Sequence, residues 1–382
     1  MKVEYILKLC GWYPNKVDEF TGDFVQRHAQ SIALFRKVIC IHIIKSPSIS
    51  TIEIEQKTTK QVIEYIGYYP QKKFFDKVHS QILYAKTFWQ IFNKIVQEHG
   101  LPKFVHLNIV LHIGRFAYLL KKKYNIPYVI TENWTGYYTK DKNYLRKNIL
   151  KFLFFKKIFK NATAFLPVSQ NLFNQCQQLF NLKFKGQVIE NAVDTSLFFP
   201  EEKNNDIIKL LHISSMGYQK NTDNLLHVFE KFLASQNNIH LYLIGPKNEH
   251  LASQISASKL LKANCTIVGN VSYEKVADYV RGADALVLFS RYENLPCVIL
   301  ECLCAGLPII STNVGGVAEV VNPKNGFIID NENQTQLLDA LNSLILNLST
   351  FDKKIISSNA NEKFNFYSIG KKFDDAYKKL GW

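Results

Sequence analysis

The sequence predicts an α/β protein with two Rossmann-like, doubly wound domains that face each other across a cleft. Near-continuous apolar segments of strand length alternate with amphipathic segments of helix length, which indicates parallel sheets covered by helices on both faces. This alternation runs twice along the chain, and the charge balance changes near residue 190. A length of 382 residues also suits two domains of ordinary size.

The first round of the alternation lies in the N-terminal half. Apolar segments there predict strands at residues 5–10, 37–44, 103–110, 127–133 and 163–169. Apolar residues at a spacing of three to four predict helices over 76–100 and 115–125. These elements form one complete set of strands and covering helices, which we assign to a first domain of residues 1–190.

The second round repeats the pattern independently. Its predicted strands are residues 207–214, 239–245, 265–269, 284–290 and 307–312. We assign residues 191–365 to a second domain. The amphipathic segment 368–380 predicts a last helix, and we expect the C-terminal segment 366–382 to complete the first domain.

Charge is distributed unequally between the two halves. Residues 1–190 contain 29 Lys+Arg and 12 Asp+Glu, a balance of +17, whereas residues 191–382 contain 18 and 20, a balance of −2. We expect the halves to meet different partners. A hydrophobic content of 47% excludes a disordered chain.

The N-terminus and the cysteines indicate the compartment. Glu4 and Lys8 interrupt the first ten residues, so they lack the apolar stretch of a signal peptide. The seven cysteines form no CxxC pair and lie mostly in apolar runs, as reduced core thiols do. No run approaches the roughly 18 apolar residues of a membrane span. We therefore expect a cytoplasmic protein whose contact with a membrane is peripheral.

The most informative segment is residues 286–321, in which a buried strand leads into a loop with Glu293 and then a helix starting near Pro296. The carboxyl end of a strand is where open α/β sheets bind ligands, and free amides at the helix start favour an anionic group. Glu293 and Glu301 are eight residues apart, about 12 Å along a helix. That spacing exceeds the roughly 5–9.5 Å of glycoside hydrolysis but suits two carboxylates on one extended ligand.

This segment resembles retaining GT-B glycosyltransferases, especially those of family 4. Residues 290–301, SRYENLPCVILE, match the E-x7-E signature of that family. The resemblance covers nearly the whole chain and includes AGLPIISTNVGGVAEVV (305–321), NGFII (325–329), VIENAVDTSLFFP (188–200), SMGYQKNTDNLL (215–226) and WYPNKVDEFTGDFVQRHAQSIA (12–33). It implies a metal-independent transfer of sugar from a nucleotide diphosphate sugar, with no cofactor. The second domain would bind this donor, and the first would bind the acceptor.

The resemblance assigns roles to three charged residues. Glu293 is expected to hold hydroxyls of the transferred sugar, and Glu301 to bind the ribose hydroxyls of the nucleotide. Lys220 is expected to neutralise the departing diphosphate, because developing negative charge in a dry cleft needs a cation placed in advance. With His106 on the acceptor side, Glu293 and Lys220 form the expected catalytic set.

Further donor contacts are implied by the same resemblance. The amides of Asn294 and Leu295 would lie near the transferred sugar or the phosphates. Gly22 would let the backbone approach the diphosphate, and Val271 would contact the base.

The chain departs from the family pattern at Ser215, where many members carry an arginine about five residues before the lysine. Two alternatives remain open. Lys220 acts with helix amides and the Ser214 or Ser215 hydroxyl, or a basic residue of the first domain such as Arg27 completes the site.

Candidate acceptor residues follow two strands of the first domain. His106 and Asn108 lie in KFVHLNIV, where many relatives have H-x-H. Asparagine cannot act as a general base, which a retaining reaction tolerates because the leaving phosphate oxygen can take the acceptor proton. We expect His106 to orient a hydroxyl.

A second acceptor candidate is ITENWTGYY, residues 130–138, which resembles the family's E-H-W strand end. Glu132, Asn133 and Trp134 would line the acceptor pocket, with the indole stacking on a sugar ring. Asn133 stands where histidine often occurs.

Residues 142–160 contain seven cationic residues and no acidic one, with aromatic and aliphatic residues between them. This composition is typical of a basic interfacial helix on anionic lipid. We expect it to dock on the inner face of the cell membrane, which suits a polyprenyl-linked or other glycan acceptor in cell-surface polysaccharide biosynthesis.

Other functions fit less of the sequence. A nucleic-acid-binding protein would use the basic half, but no helix-turn-helix, zinc-finger or RNP-like signature accompanies it, and residues 286–321 would stay unexplained. A nucleotide-sugar epimerase or a sugar phosphorylase on the same scaffold is the alternative among enzymes.

Overall fold

The protein was analysed as a computed structural model that describes residues 4–71, 76–202 and 207–382. These residues form two α/β units, each built on its own mainly parallel sheet. The predicted fold class is confirmed. All ten strands predicted from the apolar segments are present, and most of them are shorter than predicted by one or more residues at one or both ends.

The first sheet has seven strands in the spatial order β3-β4-β2-β1-β5-β6-β7. Its strands are β1 (Ile6–Cys10), β2 (Val38–Ser46), β3 (Glu53–Thr59), β4 (Val62–Pro70), β5 (Phe104–Asn108), β6 (Tyr128–Thr131) and β7 (Ala164–Phe165). Every neighbouring pair is parallel except β3 with β4. The burial of β1 and β5 on both faces explains their continuous apolar character.

The second sheet has six parallel strands in the order β10-β9-β8-β11-β12-β13. They are β8 (Ile208–Ile213), β9 (Ile239–Ile244), β10 (Cys265–Gly269), β11 (Ala285–Leu288), β12 (Ile309–Thr312) and β13 (Gly326–Ile329). Counted within this unit the order is 3-2-1-4-5-6, the Rossmann arrangement, whose ligand crevice lies beyond the carboxyl ends of the strands where the order reverses.

Helices cover both sheets. In the first unit they are α1 (Asp23–Ala33), α2 (Asp76–His99), α3 (Gly114–Tyr124), α4 (Ile149–Asn161) and α5 (Gln170–Phe180). The remaining helices are α6 (Thr222–Leu233), α7 (Glu249–Ala257), α8 (Lys259–Asn264), α9 (Tyr273–Arg281), α10 (Cys297–Cys304), α11 (Gln334–Asn347), α12 (Lys353–Phe364) and α13 (Phe366–Lys379).

The basic segment 142–160 is not one helix. A 3₁₀ turn covers Leu145–Lys147, and α4 begins only at Ile149, where the side chain of Asn148 caps the helix by accepting from the amide of Lys151. Phe152 and Phe155 face the core, whereas Leu150 stays 77% exposed. The helical part of the segment is therefore shorter than expected and apolar on two sides.

The last helix, α13, packs on the first unit. A Cβ atom on Gly370 would lie only 2.1 Å from the carbonyl oxygen of Ser31 in α1, so the two helices touch through backbone. Arg36 donates to the carboxylate of Asp374 at 2.6 Å. The C-terminal helix thus contacts the first unit through α1 and Arg36.

The two units meet where the carboxyl ends of their strands face each other. The loop after β6 contacts the loop after β11 through Asn294, and Gly316, after β12, lies against Ser169, after β7. Among the described helices, none is both long enough and apolar enough to cross a membrane.

Candidate active site

A pair of glycines holds the loop that carries Glu293. The φ of Gly315 is +57°, and a Cβ atom there would lie 2.2 Å from the carbonyl oxygen of Glu293. The amide of Gly316 donates to the carbonyl of Asn294 at 2.6 Å. The loop after β11 therefore rests directly on the backbone after β12, which explains the glycines in NVGGVAEVV.

Glu293 and Lys220 form an ion pair in the cleft. The Lys220 Nζ lies 2.5 Å from Glu293 Oε1, and Gln219 Nε2 donates to Glu293 Oε2 at 3.1 Å. Glu293 is only 5% exposed. The structure thus brings together two predicted residues that are 73 positions apart in the chain. Gln219, the second partner of the carboxylate, was not predicted.

Glu301, on α10, is joined to the first domain. The hydroxyl of Tyr273 donates to Glu301 Oε1 at 3.0 Å, and Arg27 Nη2 of α1 lies 3.2 Å from the same oxygen. The guanidinium of Arg27 also donates to Asp23 at 2.7 Å and stacks 4.6 Å from the centre of the Tyr273 ring. Burial raises the pKa of Glu301, while the charge of Arg27 opposes that rise.

Arg27 retains unused hydrogen-bonding capacity. Its Nε and Nη2 atoms are buried and have no hydrogen-bond acceptor within the described residues, since the contact with Glu301 has ion-pair distance without hydrogen-bond alignment. A buried N–H donor without an acceptor loses its hydrogen bonds to water and so destabilises the folded protein. A polar ligand that accepts from these donors would recover that free energy.

The loop after β8 contains Ser215, the position where many family members carry an arginine. The Ser214 hydroxyl is already bonded to His212 Nε2 at 2.8 Å and accepts from the amide of Met216 at 3.0 Å. Ser215 is exposed. Two groups were considered as replacements for the missing arginine. The Ser214 hydroxyl already has hydrogen-bond partners within its own loop, whereas Arg27 has two N–H donors without an acceptor among the described residues.

Gly22 and Val271 lie at the ends of elements that border the cleft. Gly22 is the N-cap of α1 with φ 81°, and a Cβ atom there would lie 2.4 Å from the amide nitrogen of Tyr13. Only glycine fits this close turn. Val271 is half-buried between β10 and α9.

Three asparagine side chains and three backbone carbonyls link the domains beside Glu293. Asn294 Nδ2 donates to the carbonyls of Asn133 at 2.6 Å and Trp134 at 3.0 Å. Asn133 donates to Asn191, which in turn donates to the carbonyl of Leu295 at 3.1 Å. The side chains of Asn133 and Asn294 thus serve the domain interface, and the amide nitrogen of Asn133 is already bonded to Asn191.

Glu132 and Trp134 do not line an open acceptor pocket. Glu132 is fully buried, and its Oε1 accepts from the amide of Val110 at 2.6 Å and from the hydroxyl of Tyr137 at 2.7 Å. Burial raises its pKa to about 7. The indole of Trp134 is 7% exposed and packs edge-on against Tyr137. Both residues stabilise the loop after β6.

His106 and Asn108 are also inside the first domain. His106 is fully buried, and its two ring nitrogens are bonded to the Tyr377 hydroxyl at 2.7 Å and the Thr131 hydroxyl at 2.9 Å. Asn108 accepts from the buried ammonium of Lys8. Neither nitrogen of His106 is open to a sugar hydroxyl, so we leave His106 and Asn108 out of the site.

A pocket of about 470 Å³ opens beside Glu293 instead. Its wall on the first domain is formed by residues 138–140, Tyr144, Arg146 and one face of α5, and its wall on the second domain by residues 291–293 and 314–315. The residues predicted to bind the acceptor, 132–134, do not line this pocket, whose first-domain wall begins further along the same loop at Tyr138. Within the described residues no group of three His, Cys, Asp or Glu could hold a metal ion.

Two Rossmann-type sheets meeting at the carboxyl ends of their strands, with a glutamate loop and a lysine in the cleft, define a GT-B glycosyltransferase fold. Comparison with known families agrees. Residues 193–362 match the glycosyl transferases group 1 model, and residues 55–197 match Glycosyltransferase Family 4. The chain belongs to this family of glycosyltransferases.

Individual relatives are distant but extend over most of the chain. The Bacillus subtilis protein TuaC, whose name assigns it to teichuronic acid biosynthesis, is 23% identical over 88% of both chains. Sucrose-phosphate synthase from Thermosynechococcus elongatus superposes with a TM-score of 0.80 at 16% identity over 99% of both chains. Anabaena HepE, solved with UDP-glucose, superposes with a TM-score of 0.71 at 13% identity over 98% of this chain and 100% of its own.

The buried ion pair between Arg27 and Glu301 should be strongly coupled. Arg27→Met leaves a buried carboxylate with one hydroxyl partner, so we expect a loss of about 3–5 kcal/mol in the free energy of unfolding. In the double variant with Glu301→Gln, the loss should be smaller than the sum of the single losses by about 1–3 kcal/mol. Urea unfolding of the four proteins measures this coupling. The exposed pair Lys275–Asp278 is the control, and its two single losses should be additive. Additive losses at Arg27 and Glu301 would contradict the assignment.

The raised pKa of Glu132 predicts a specific pH dependence of stability. Its folded-state pKa, about 7, lies above the ordinary value of 4.5, so this residue contributes stability below pH 4.5 that is lost as the pH rises through 7. Glu132→Gln cannot titrate. Relative to wild type, the variant should therefore gain on the order of 2–3 kcal/mol between pH 4.5 and 8 in urea unfolding. If the plots of unfolding free energy against pH were parallel for Glu132→Gln and wild type, Glu132 would be ionised throughout this pH range. The control is Glu274→Gln, at an exposed position, whose plot should run parallel to that of wild type.

Proposed function

We propose that this glycosyltransferase is retaining and metal-independent, and that it moves a sugar from a nucleotide diphosphate sugar to a glycan or lipid-linked acceptor. The observation that carries the proposal is the contact between Glu293 and Lys220 in the cleft. A carboxylate there can accept hydrogen bonds from hydroxyls of the transferred sugar, and the adjacent ammonium can stabilise the diphosphate as it leaves.

Arg27 supplies the second cation in this proposal. Its unused Nε and Nη2 donors face a cleft in which Glu301 is expected to hold the ribose. A guanidinium suits phosphate oxygens because several of its N–H groups can donate together. The first domain would then compensate for the serine at position 215.

The proposed reaction retains configuration. The acceptor hydroxyl attacks the anomeric carbon from the face that the diphosphate leaves, the bond from that carbon to the phosphate oxygen breaks, and this oxygen takes the hydroxyl proton. Such a step needs no separate base, which is compatible with the burial of His106. Lys220 and Arg27 stabilise the charge on the departing group.

The donor is proposed to be a UDP-sugar, and the product a cell-surface polysaccharide. Anabaena HepE, which has the same fold, is described in complexes with UDP and with UDP-glucose. The relative TuaC belongs to teichuronic acid biosynthesis by its name. A pocket beside Glu293 gives an acceptor a place to bind, which favours transfer over epimerisation, since an epimerase needs no acceptor.

The acceptor is proposed to arrive at the cytoplasmic face of the membrane. On α4, Ile149, Leu150 and Leu153 are 62%, 77% and 53% exposed, with the exposed lysines Lys157 and Lys160 on the same helix. Exposed aliphatic side chains next to lysines are the features that hold a peripheral helix on anionic lipid.

Replacement of Glu293 tests the site. Glu293→Gln removes the charge that holds Lys220 and weakens acceptance from sugar hydroxyls, so turnover should fall by about 10²–10³-fold. We would first screen nucleoside diphosphates and their sugars by thermal shift, and then measure nucleotide release with the sugar that stabilises the protein. Glu293→Gln should keep the thermal shift produced by UDP, and Glu274→Gln should behave as wild type. Wild-type turnover in Glu293→Gln would refute the assignment, and a protein indifferent to every nucleotide would refute the proposed function.

Charge reversal tests the membrane surface. Lys147, Lys157 and Lys160, all exposed, are replaced together by glutamate. Because each lysine near an anionic bilayer contributes on the order of 1 kcal/mol, binding to phosphatidylglycerol-containing vesicles should weaken by at least about 100-fold. Co-sedimentation measures the effect, and the matched control replaces the exposed residues Lys259, Lys262 and Lys324 of the second domain. Equal binding by the two triple variants would argue against docking through α4.

A further inference from the structure

The pocket beside Glu293 lies where a second substrate would meet the transferred sugar. Its volume of about 470 Å³ falls within the roughly 300–1,000 Å³ of ligand-binding pockets. Glu293 forms part of one wall, so a molecule filling the pocket would touch the sugar that this carboxylate is proposed to hold. A role of this pocket in binding the second substrate rests on the proposed function.

The pocket carries an excess of positive charge. Lys140, Arg146 and Arg291 line it, and Glu293 is the acidic residue among the described lining residues. Glu293 is already paired with Lys220, and Arg291 is paired with Glu332 at 2.9 Å.

Lys140 and Arg146 remain without a carboxylate. Arg146 donates to the carbonyl of Leu179 at 3.4 Å and lies 5.3 Å from the centre of the Phe152 ring, and neither contact neutralises its charge. Lys140 is exposed and has no acidic partner among the residues that the structure describes. Two uncompensated cations on one wall favour an anionic ligand.

The remaining polar groups of the wall suit a carbohydrate. Asn171, Gln175 and Gln178 follow one another at spacings of four and three residues on α5, so their side chains share one face of the helix. The hydroxyl of Tyr138 donates to Asn171 Oδ1 at 2.9 Å. Amides and a phenol at this spacing can bind several sugar hydroxyls.

We infer that this pocket selects an acceptor that carries a negative charge close to the hydroxyl receiving the sugar. Lys140 and Arg146 would bind the anion, and the amides of α5 would bind the adjacent ring. The anion has two chemical sources, the carboxylate of a uronic acid and the phosphate of a lipid-linked sugar diphosphate.

Calorimetry with the UDP-saturated protein distinguishes these sources. One arm compares methyl glucuronide with methyl glucoside, which differ only in the carboxylate, and the other compares geranyl diphosphate with geraniol. At least one anion should bind 10-fold or more tightly than its neutral counterpart. Preference for the glucuronide alone indicates a uronic acid, and preference for the diphosphate alone indicates the lipid-linked source.

Variants connect the preference to the two cations. Lys140→Gln with Arg146→Gln should abolish it while the affinity for UDP is unchanged. The matched control is Lys142→Gln with Lys147→Gln, which removes the same charge from exposed positions of the same segment that do not line the pocket. An equal loss in the control, or equal affinity of wild type for anions and their neutral counterparts, would overturn the inference. Failure of wild type to bind UDP would instead refute the proposed function.

Discussion

The contact between Arg27 and Glu301 is the interaction on which the cleft depends. It joins α1 of the first domain to α10 of the second through two side chains that are each 5% exposed. A buried carboxylate is stable only with a partner, and here the partner comes from the opposite domain. Glu301 is also the residue expected to bind the ribose. The carboxylate that joins the two domains is therefore the same carboxylate that would contact the donor.

The rest of the interface near the site is polar as well. Asn294 donates to two carbonyls of the first domain, and the carboxylate of Glu319 accepts from the amides of Gln170 and Asn171 at the start of α5. Polar contacts between domains can be exchanged for contacts with a ligand or with water at small cost, whereas a large apolar interface cannot. An interface of this kind permits the cleft to adjust around two substrates while the sheets stay rigid.

The sequence predicted the sheets better than the site, for physical reasons. Buried parallel strands have an unmistakable apolar pattern, but the hairpin of β3 and β4 turns at Lys60 and Gln61, both with positive φ and neither carrying the Asn-Gly signal of such turns. The resemblance to the family singled out Glu293 and Lys220, which the structure places in contact. It misplaced His106, because a polar residue at the end of a strand can be satisfied inside the domain as well as in a cleft.

The basic first domain is best understood as several separate groups of cations with different electrostatic surroundings. Lys8 is completely buried, its ammonium donates to Asn108, and burial lowers its pKa to about 8, so this cation is not available to a ligand at the surface. Arg27 is compensated by Asp23 and Glu301 within the cleft. Within the described residues, charge without a carboxylate partner remains at the pocket, on Lys140 and Arg146, and on α4, whose Lys151 lies 4.5 Å from the centre of the Trp134 ring. An acceptor held by an anionic membrane along α4 would present its own charged group to the pocket beside Glu293.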